Sequence, residues 1–219
     1  MLGFPKSNST SFLVPAGTHQ AVCYCIADLG TQETSFGKKP MLHIGWEIPD
    51  ERMSNGRVAV VSRRYAMSAD PKSALRIDVE GWLGKKLTDV DLDSFNFADL
   101  IGQCCLVSVQ HSDGSNGRIY ANVKSVLPPP RGMAKKQNCE NDPVVFDLGE
   151  FDRSQYAALP GWLQTTIARS PEYAEVTGTI GITAREALQR HGFRGETEAP
   201  RELPSPAKDR ELPSDEIPW

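Results

Sequence analysis

The sequence lacks the long apolar runs with which proteins enter or cross membranes. Nowhere in its 219 residues is there a stretch approaching the roughly 20 consecutive apolar residues of a membrane-spanning helix. The first residues, Met1 to Lys6, carry no apolar core of the kind found in a signal peptide. Hydrophobic residues make up 39% of the chain, below the about 45–50% that is usual for globular domains. We therefore expect a cytoplasmic protein with no membrane partner, built as one folded domain with polar extensions.

The sequence also lacks the paired cysteines of a metal site. It contains five cysteines but no CxxC pair, and no histidine follows them at zinc-finger spacing. We expect reduced and mostly buried thiols, and we predict neither a metal nor a cofactor. The alternative is a zinc ion bound by Cys23, Cys25 and one of His19, His43 or His111.

Motifs typical of enzymes are missing as well. The basic run that ends at Lys39 fails the phosphate-loop pattern, because lysine stands where a magnesium-binding hydroxyl residue belongs. The aspartates at 89, 91 and 93 begin like a calcium loop, but Ser94 replaces the required glycine. The sequence has no G-x-S-x-G, H-E-x-x-H or zinc-deaminase pattern. We therefore expect a non-catalytic protein, with a metal-dependent nuclease as the enzymatic alternative.

Acidic residues outnumber basic ones, 28 against 24, which gives a formal net charge of −4. That balance at first argues against a nucleic-acid-binding protein. The excess is uneven, because residues 1–133 carry 14 Lys and Arg against 13 Asp and Glu, whereas residues 134–219 carry 10 against 15. The acidity therefore belongs to the C-terminal part, and a near-neutral body can still present a basic groove.

The C-terminal segment holds five prolines, seven acidic and three basic residues between Glu196 and the end. Such a segment buries too little apolar surface to offset the entropy of ordering, so we predict a disordered acidic tail over 195–219. Its tip consists of Asp215, Glu216, Ile217, Pro218 and Trp219. Two large apolar side chains beside a free carboxylate predict a docking peptide for a partner whose apolar pocket is rimmed by Lys or Arg. The alternative is that Trp219 folds back onto the domain.

Alternation and turn residues predict five strands and one helix in the first 130 residues. The strands are predicted at 19–29, 41–48, 57–67, 104–111 and 118–127, with a long loop at 30–40. The helix is predicted to start at Asp70-Pro71 and to stop at Gly84. Three strands, a helix and two strands is the order of a five-stranded Greek-key barrel of the oligonucleotide/oligosaccharide-binding (OB) type. Another small β-barrel and an α+β sandwich also fit.

The fold class is therefore mainly β, with a short helical extension and the acidic tail. We predict a flexible N-terminus at 1–13, the OB-fold domain at 14–130, a linker at 131–145, an extension at 146–194 and the tail at 195–219. Within the later segments, the run 144–146 is apolar enough to add a strand, and two short helices are predicted around Pro160-Gly161. A further turn is predicted at Ser170, and a capping box at Thr183 predicts another helix. The extension packs on the barrel or on a partner.

A protein that binds single strands without sequence preference needs cations for phosphates and flat rings for bases. Tyr120 alternates out of phase with Ile119, Ala121 and Val123, which predicts an exposed ring beside inward apolar side chains. Trp46 and Trp82 lie in phase with core positions. Each cation taken alone is explained by a solvated surface charge, so the prediction depends on the set. The candidate strand-binding residues are Lys38, Lys39, Arg57, Arg63, Arg64, Tyr65, Arg76, His111, Arg118, Tyr120 and Lys124.

Several short segments between about residues 13 and 130 carry a resemblance to a known family. They include Pro15-Ala16-Gly17, Asp28-Leu29-Gly30, Trp46-Glu47-Ile48, Ser62-Arg63-Arg64-Tyr65 and Gly117-Arg118-x-Tyr120-Ala121-Asn122. This part of the chain resembles phage-encoded single-stranded-DNA-binding proteins of the barrel type. The tip resembles the acidic DDDIPF tip of bacterial and phage members, with Trp219 in place of the usual phenylalanine.

The resemblance implies a role in phage DNA replication or recombination, in the cytoplasm of the bacterial host. Single-stranded DNA would bind the domain, and replication or recombination proteins would bind the tip. The alternative is a protein-interaction adaptor or recombination mediator that touches DNA weakly. The sequence leaves the oligomeric state open, including a homo-oligomer.

Overall fold

A computed structural model describes residues 12–114 and 117–178. The six strands are β1 (Gly17–Thr34), β2 (Gly37–Arg52), β3 (Val58–Ala66), β4 (Cys104–Asp113), β5 (Ile119–Leu127) and β6 (Val144–Phe146). The helices are α1 (Ala74–Leu83), α2 (Asp89–Asp93), α3 (Arg153–Ala158) and α4 (Gly161–Ile167), with a 3₁₀ turn at Phe97–Leu100 and further helix at 171–178. The predicted helix at Thr183 and the predicted tail over 195–219 lie outside the described residues.

The six strands form one mainly antiparallel sheet. Its order is β3-β2-β1-β4-β5, and β6 runs parallel to β1 beside Cys25–Ala27. Three strands, a helix and two strands follow one another as the sequence predicts, and the apolar run at 144–146 adds the sixth strand. Within the described residues no ladder joins β3 to β5, so the sheet is open between them. One side-chain bond crosses the opening, from Arg63 Nη1 to the carbonyl oxygen of Lys124 at 3.0 Å.

Helix α1 covers one side of the sheet, here called the inner face. Both predicted core tryptophans lie there, and their ring centroids are 5.9 Å apart. Trp46 of β2 is completely buried, and Trp82 of α1 donates its indole N–H to the carbonyl oxygen of Cys104 at 3.0 Å. The prediction that both tryptophans belong to the core is confirmed.

The opposite side, here called the outer face, is partly covered by the C-terminal extension. Leu163 and Ile167 of α4 are completely buried there with Leu29 of β1 and Phe146 of β6. Aromatic rings of the extension pack around Phe146, with Phe151 at 6.2 Å between ring centroids. As far as residue 178, the extension therefore packs on the sheet and shares an apolar cluster with it.

The predicted linker is held to the outer face by a buried carboxylate. Glu47 of β2 is completely buried and accepts bonds from the backbone N–H groups of Glu140 at 2.7 Å and Asn141 at 3.0 Å. Glu140 also accepts two bonds from Arg52, at 2.6 and 2.7 Å. A buried carboxylate is tolerated because these N–H donors replace the water that it loses.

The predicted loop at 30–40 is instead a continuation of the β1–β2 hairpin. Residues 31–34 pair with 37–40, so only Ser35 and Phe36 remain as the turn. The Thr34 hydroxyl closes that turn, since it accepts from the Phe36 N–H at 3.1 Å and donates to the Gly37 carbonyl at 2.7 Å. The sequence did not predict these strand ends because their side chains are polar and show no apolar alternation. Cross-strand bonds and not burial stabilise them.

One helix boundary and one side-chain orientation also differ from the predictions. Helix α1 begins at Ala74, because the Ser73 side chain caps it while the Asp70 side chain closes a separate turn through the Lys72 N–H. Ile119 was expected to point inward but is 55% exposed. It pairs with Asp113 at the far end of the β4–β5 hairpin, beyond the core.

Helix α1 approaches β5 so closely that a methyl group would not fit between them. A Cβ added at Gly81 would lie 2.6 Å from the carbonyl oxygen of Val126, whereas one added at Gly161 of α4 would meet open space. Alanine improves intrinsic helix propensity at both sites by up to about 1 kcal/mol. We expect Gly81→Ala to lower the free energy of unfolding by about 2 kcal/mol or more, because overpacking outweighs propensity.

Urea unfolding followed by circular dichroism measures both variants. Gly161→Ala is the matched control and should be neutral or slightly stabilising. Equal stability of the two variants would contradict the close approach of α1 to β5.

Candidate nucleic-acid interface

A groove of about 790 Å³ lies where the sheet is open between β3 and β5. Its lining includes Phe12, Met53, Val60, Ser62, Arg118, Ile119 and Tyr120. We call this feature the β3–β5 groove. β3 and β5 are the two strands that end the sheet, and within the described residues no ladder joins them.

The groove brings exposed apolar side chains together. Val60 is 40% exposed, Ile119 is 55% exposed and Tyr120 is 44% exposed. Single exposed apolar residues are ordinary, but a convergent group in a concave surface is typical of a binding site. The predicted exposure of the Tyr120 ring is confirmed, and Arg118 lines the same groove.

Three other predicted residues lie on or next to the strands of this part of the sheet, namely Arg57 directly before β3, Lys124 of β5 and His111 of β4. The carbonyl oxygen of Arg57 accepts the N–H of Met53, a groove residue, at 2.8 Å. Arg57 and Lys124 are exposed and form no ion pair with any other described residue. His111 Nε2 lies 2.8 Å from the carbonyl oxygen of Val14 and so holds the N-terminal segment that carries Phe12. Arg57 and His111 therefore contact segments that line the groove, whereas Lys124 lies farther along β5 than Tyr120.

Arg63 and Tyr65 instead point to the inner face. Arg63 Nη1 and the Tyr65 hydroxyl both donate to Oδ2 of Asp78 in α1, at 2.7 and 2.8 Å. Burial raises the pKa of the Asp78 carboxyl, while the hydrogen bond from Tyr65 and the positive charge of Arg63 oppose the shift. The Tyr65 ring is 2% exposed and cannot stack with a base. The sequence already indicated this inward orientation, because alternation along β3 places Val61, Arg63 and Tyr65 on one side.

Arg76 is also committed to the fold. Its Nε donates to Glu80 at 3.0 Å, and its two terminal nitrogens donate to the carbonyl oxygens of Ala69 at 2.7 Å and Leu87 at 2.8 Å. Hydrogen bonds from Lys86 and Arg76 lower the pKa of Glu80 to about 2. Because its guanidinium nitrogens already donate these hydrogen bonds, Arg76 stabilises the packing of α1 and does not face the groove.

Lys38 and Lys39 lie away from the groove, at the tip of the β1–β2 hairpin. Lys38 pairs with Glu33 at 3.5 Å, and Lys39 Nζ lies 5.5 Å from the centre of the Phe36 ring. Phe36 is 83% exposed at this tip. An aromatic residue directly before a Gly-Lys-Lys run was the available sequence signal for it.

On the outer face, the predicted residue Arg64 meets two residues that the sequence did not place in the binding set. Arg64 of β3 pairs with His43 of β2, and the Trp162 ring of α4 lies over both. The ring centroids of Trp162 and His43 are 4.9 Å apart, and Arg64 Cζ is 5.6 Å from the centre of the Trp162 ring. Trp162 lies about a hundred residues along the chain from its two partners, so no local pattern pointed to the contact.

On the neighbouring part of the outer face, Gly45 leaves room for the side chains of Tyr24 and Cys25. A Cβ added at Gly45 of β2 would lie 3.1 Å from the Tyr24 ring and 3.0 Å from Cys25 Cβ. Tyr24 projects here because the register of β1 shifts between Cys23 and Cys25. The same shift puts Cys23 in the inner apolar cluster and Cys25 in the outer one. The zinc alternative is therefore wrong in its pairing of these two thiols.

All five cysteines are free thiols, and all but Cys139 are buried, as predicted. Burial raises the pKa of Cys25 to about 12. Across the described parts of the chain, no three His, Cys, Asp or Glu side chains converge as metal ligands. Over the same residues, no helix has the length and apolar character needed to cross a membrane.

Comparison of the chain with protein-family models found no match, and comparison with curated proteins found no significant relative.

Buried His43 makes stability depend on pH. Its side chain is completely buried beneath Trp162, and Nδ1 has no hydrogen-bond partner among the described residues. Burial, with a smaller contribution from Arg64, lowers the pKa of His43 from 6.5 to about 4. Between these values the unfolded chain takes up a proton that the folded protein refuses, so stability present above the higher pKa is lost as pH falls.

We expect this histidine to remove up to about 3 kcal/mol of unfolding free energy between neutral pH and pH near 4. His43→Leu should abolish that part of the loss, because leucine cannot be protonated. Urea unfolding of both proteins over this range measures the difference. Parallel stability curves for the two proteins would contradict the assignment.

Proposed function

We propose that the protein is a non-catalytic single-stranded-DNA-binding protein and that the β3–β5 groove holds the strand. The observation that carries the proposal is the convergence of Tyr120, Ile119 and Val60 with Arg118 in one groove. Binding of single strands requires rings for base stacking and cations for phosphates. Arg57, directly before β3, and Lys124, farther along β5, add positive charge near these strands.

The strand order supports an OB-type barrel. The ladders join β1 to β2, β2 to β3, β1 to β4 and β4 to β5, and α1 follows β3. In this proposal the bond from Arg63 to Lys124 and the packing of α1 close the barrel between β3 and β5. With the resemblance described above, this fold supports a role in phage DNA replication or recombination in the bacterial cytoplasm.

Buried acids decide which cations of the body can contribute to the proposed binding surface. The buried acids Asp78 and Glu80 form ion pairs with Arg63, Arg76 and Lys86. Arg57 and Arg64 are exposed and form no ion pair with another described residue. In this proposal Arg57 and Arg64 therefore remain available to phosphates.

Fluorescence anisotropy of a labelled dT oligomer tests the proposal. We expect binding that weakens steeply with added salt, because phosphate contacts release counterions. Tyr120→Ala should weaken binding about tenfold, in line with the loss of one stacked base. Tyr120→Phe keeps the ring and should bind as the unmodified protein does.

Arg118→Ala should weaken binding and reduce its salt dependence. Its charge-matched control is Lys72→Ala, on the exposed turn that precedes α1. Micromolar protein that gives no anisotropy change at low salt would refute the function. Arg63→Glu is unsuitable as a binding test, because it would place two carboxylates together at Asp78.

The acidic tip completes the proposal. We propose that Asp215–Trp219 recruits replication or recombination proteins and that the acidic tail competes with DNA for the basic groove. Deletion of residues 215–219 should leave affinity for the dT oligomer equal or higher and should abolish capture of the partner protein. Weaker DNA binding after the deletion would refute the competition.

A protein-interaction adaptor is the second candidate. An apolar pocket of about 290 Å³ on the α1 side favours it, with Leu75, Leu92, Phe95 and Phe97 in its lining. Exposed Asp89 and Asp93 nearby suit a basic, apolar segment of a partner. An adaptor would keep capturing its partner after Tyr120→Ala, and its weak DNA binding would not respond to that change.

A further inference from the structure

The surface of β3 leads from the groove to Trp162. Val60 and Ser62 line the groove, and Arg64 follows on the same side of the strand because side chains alternate. Arg64 then lies against the Trp162 ring. A single-stranded DNA that leaves the groove along the outer face of β3 would meet Arg64 and Trp162 next.

Trp162 is held firmly but not covered. The neighbouring Leu163 and Ile167 of α4 are completely buried in the outer apolar cluster, so the helix is anchored without the indole. His43 supports the ring from the sheet at an interplanar angle of 72°. Trp162 nevertheless remains 47% exposed. A fixed, half-exposed indole beside an arginine is the arrangement on which a base stacks.

The same face of the sheet continues beyond this pair to the hairpin tip. Lys39 shares a side of β2 with His43, because the two positions are four residues apart in one strand. Phe36 is exposed just beyond Lys39. Cations and rings therefore alternate from the β3–β5 groove, through Arg64 and Trp162, to the tip of the β1–β2 hairpin.

We propose that Trp162 and Arg64 form a second stacking position for single-stranded DNA, supplied partly by the C-terminal extension. The DNA leaves the groove and follows the outer face of β3. One of its bases stacks on Trp162 while Arg64 contacts a phosphate. This inference rests on the proposed function and extends the proposed DNA-binding surface from the β3–β5 groove to helix α4. It makes the extension part of the binding surface and not only a cover for β1.

Tryptophan fluorescence tests the stacking directly. The chain has four tryptophans, of which Trp46 and Trp82 are buried. In a Trp219→Phe background, a dT oligomer should quench the fluorescence of Trp162. Adding Trp162→Phe to that background should remove the quenching while leaving the protein folded.

Affinity gives an independent readout. Trp162→Ala should weaken binding of a long dT oligomer about fivefold or more, with Trp162→Phe in between because it keeps a ring. A short oligomer that fills only the groove should be unaffected by either change. Arg64→Ala should lower the slope of log affinity against log salt by about 0.7, the contribution of one phosphate contact. Lys72→Ala should leave affinity for both oligomers unchanged, since it lies outside the proposed path.

The outcomes separate the two proposals. Binding of dT that depends on Tyr120, without quenching of Trp162 and without any effect of Trp162→Phe, would overturn this inference and leave the function standing. Absence of dT binding at low salt would overturn both. Trp162→Ala tests affinity only if its circular dichroism matches that of the unmodified protein, whereas the quenching measurement does not depend on that variant.

Discussion

The structure depends on one constraint, which is that β1 has to bury both of its faces while bonding to three neighbouring strands. A register shift at Tyr24 meets that demand. Before the shift β1 pairs with β4, and after it β6 takes that side. The shift also sends Cys23 inward and Cys25 outward, so each half of the strand supplies a different apolar cluster. The C-terminal extension is needed because the second half of β1 would otherwise expose Leu29 to water.

Buried acids organise the rest of the fold and decide which cations remain for a ligand. Asp78 holds Arg63 and Tyr65, and Glu80 holds Arg76. Each of these acids lies in a water-poor site, where an unpaired charge is costly, so its basic partner cannot leave without destabilising the protein. A count of Lys and Arg along the sequence therefore overstates the positive charge that is not already paired with an acid. The cations left on the outer face and beside the groove are fewer, and they lie where exposed rings also lie.

The order and type of most elements followed from the sequence, because alternation in 41–48 and 104–111 reflects burial of one strand face against a core. The hairpin at 30–40 did not follow, because its strands are polar and are stabilised by cross-strand bonds. Of the candidate residues, Tyr120 was predicted to be exposed from its phase along the strand, and both Tyr120 and Arg118 line the β3–β5 groove. Their contact with a nucleic acid stays a prediction. Tyr65 was assigned to the binding surface although its own phase with Val61 placed it inside.

The sequence by itself determined the three-strand, one-helix, two-strand order, the core position of Trp46 and Trp82 and the separation of a near-neutral body from an acidic C-terminal part. These properties are local, because each follows from the spacing and chemistry of neighbouring residues. Only the tertiary structure decided that β3 and β5 leave a groove between them and that Trp162 lies beside Arg64 and His43. Those contacts join segments far apart in the chain, and their energy comes from packing across the sheet, which no local pattern records.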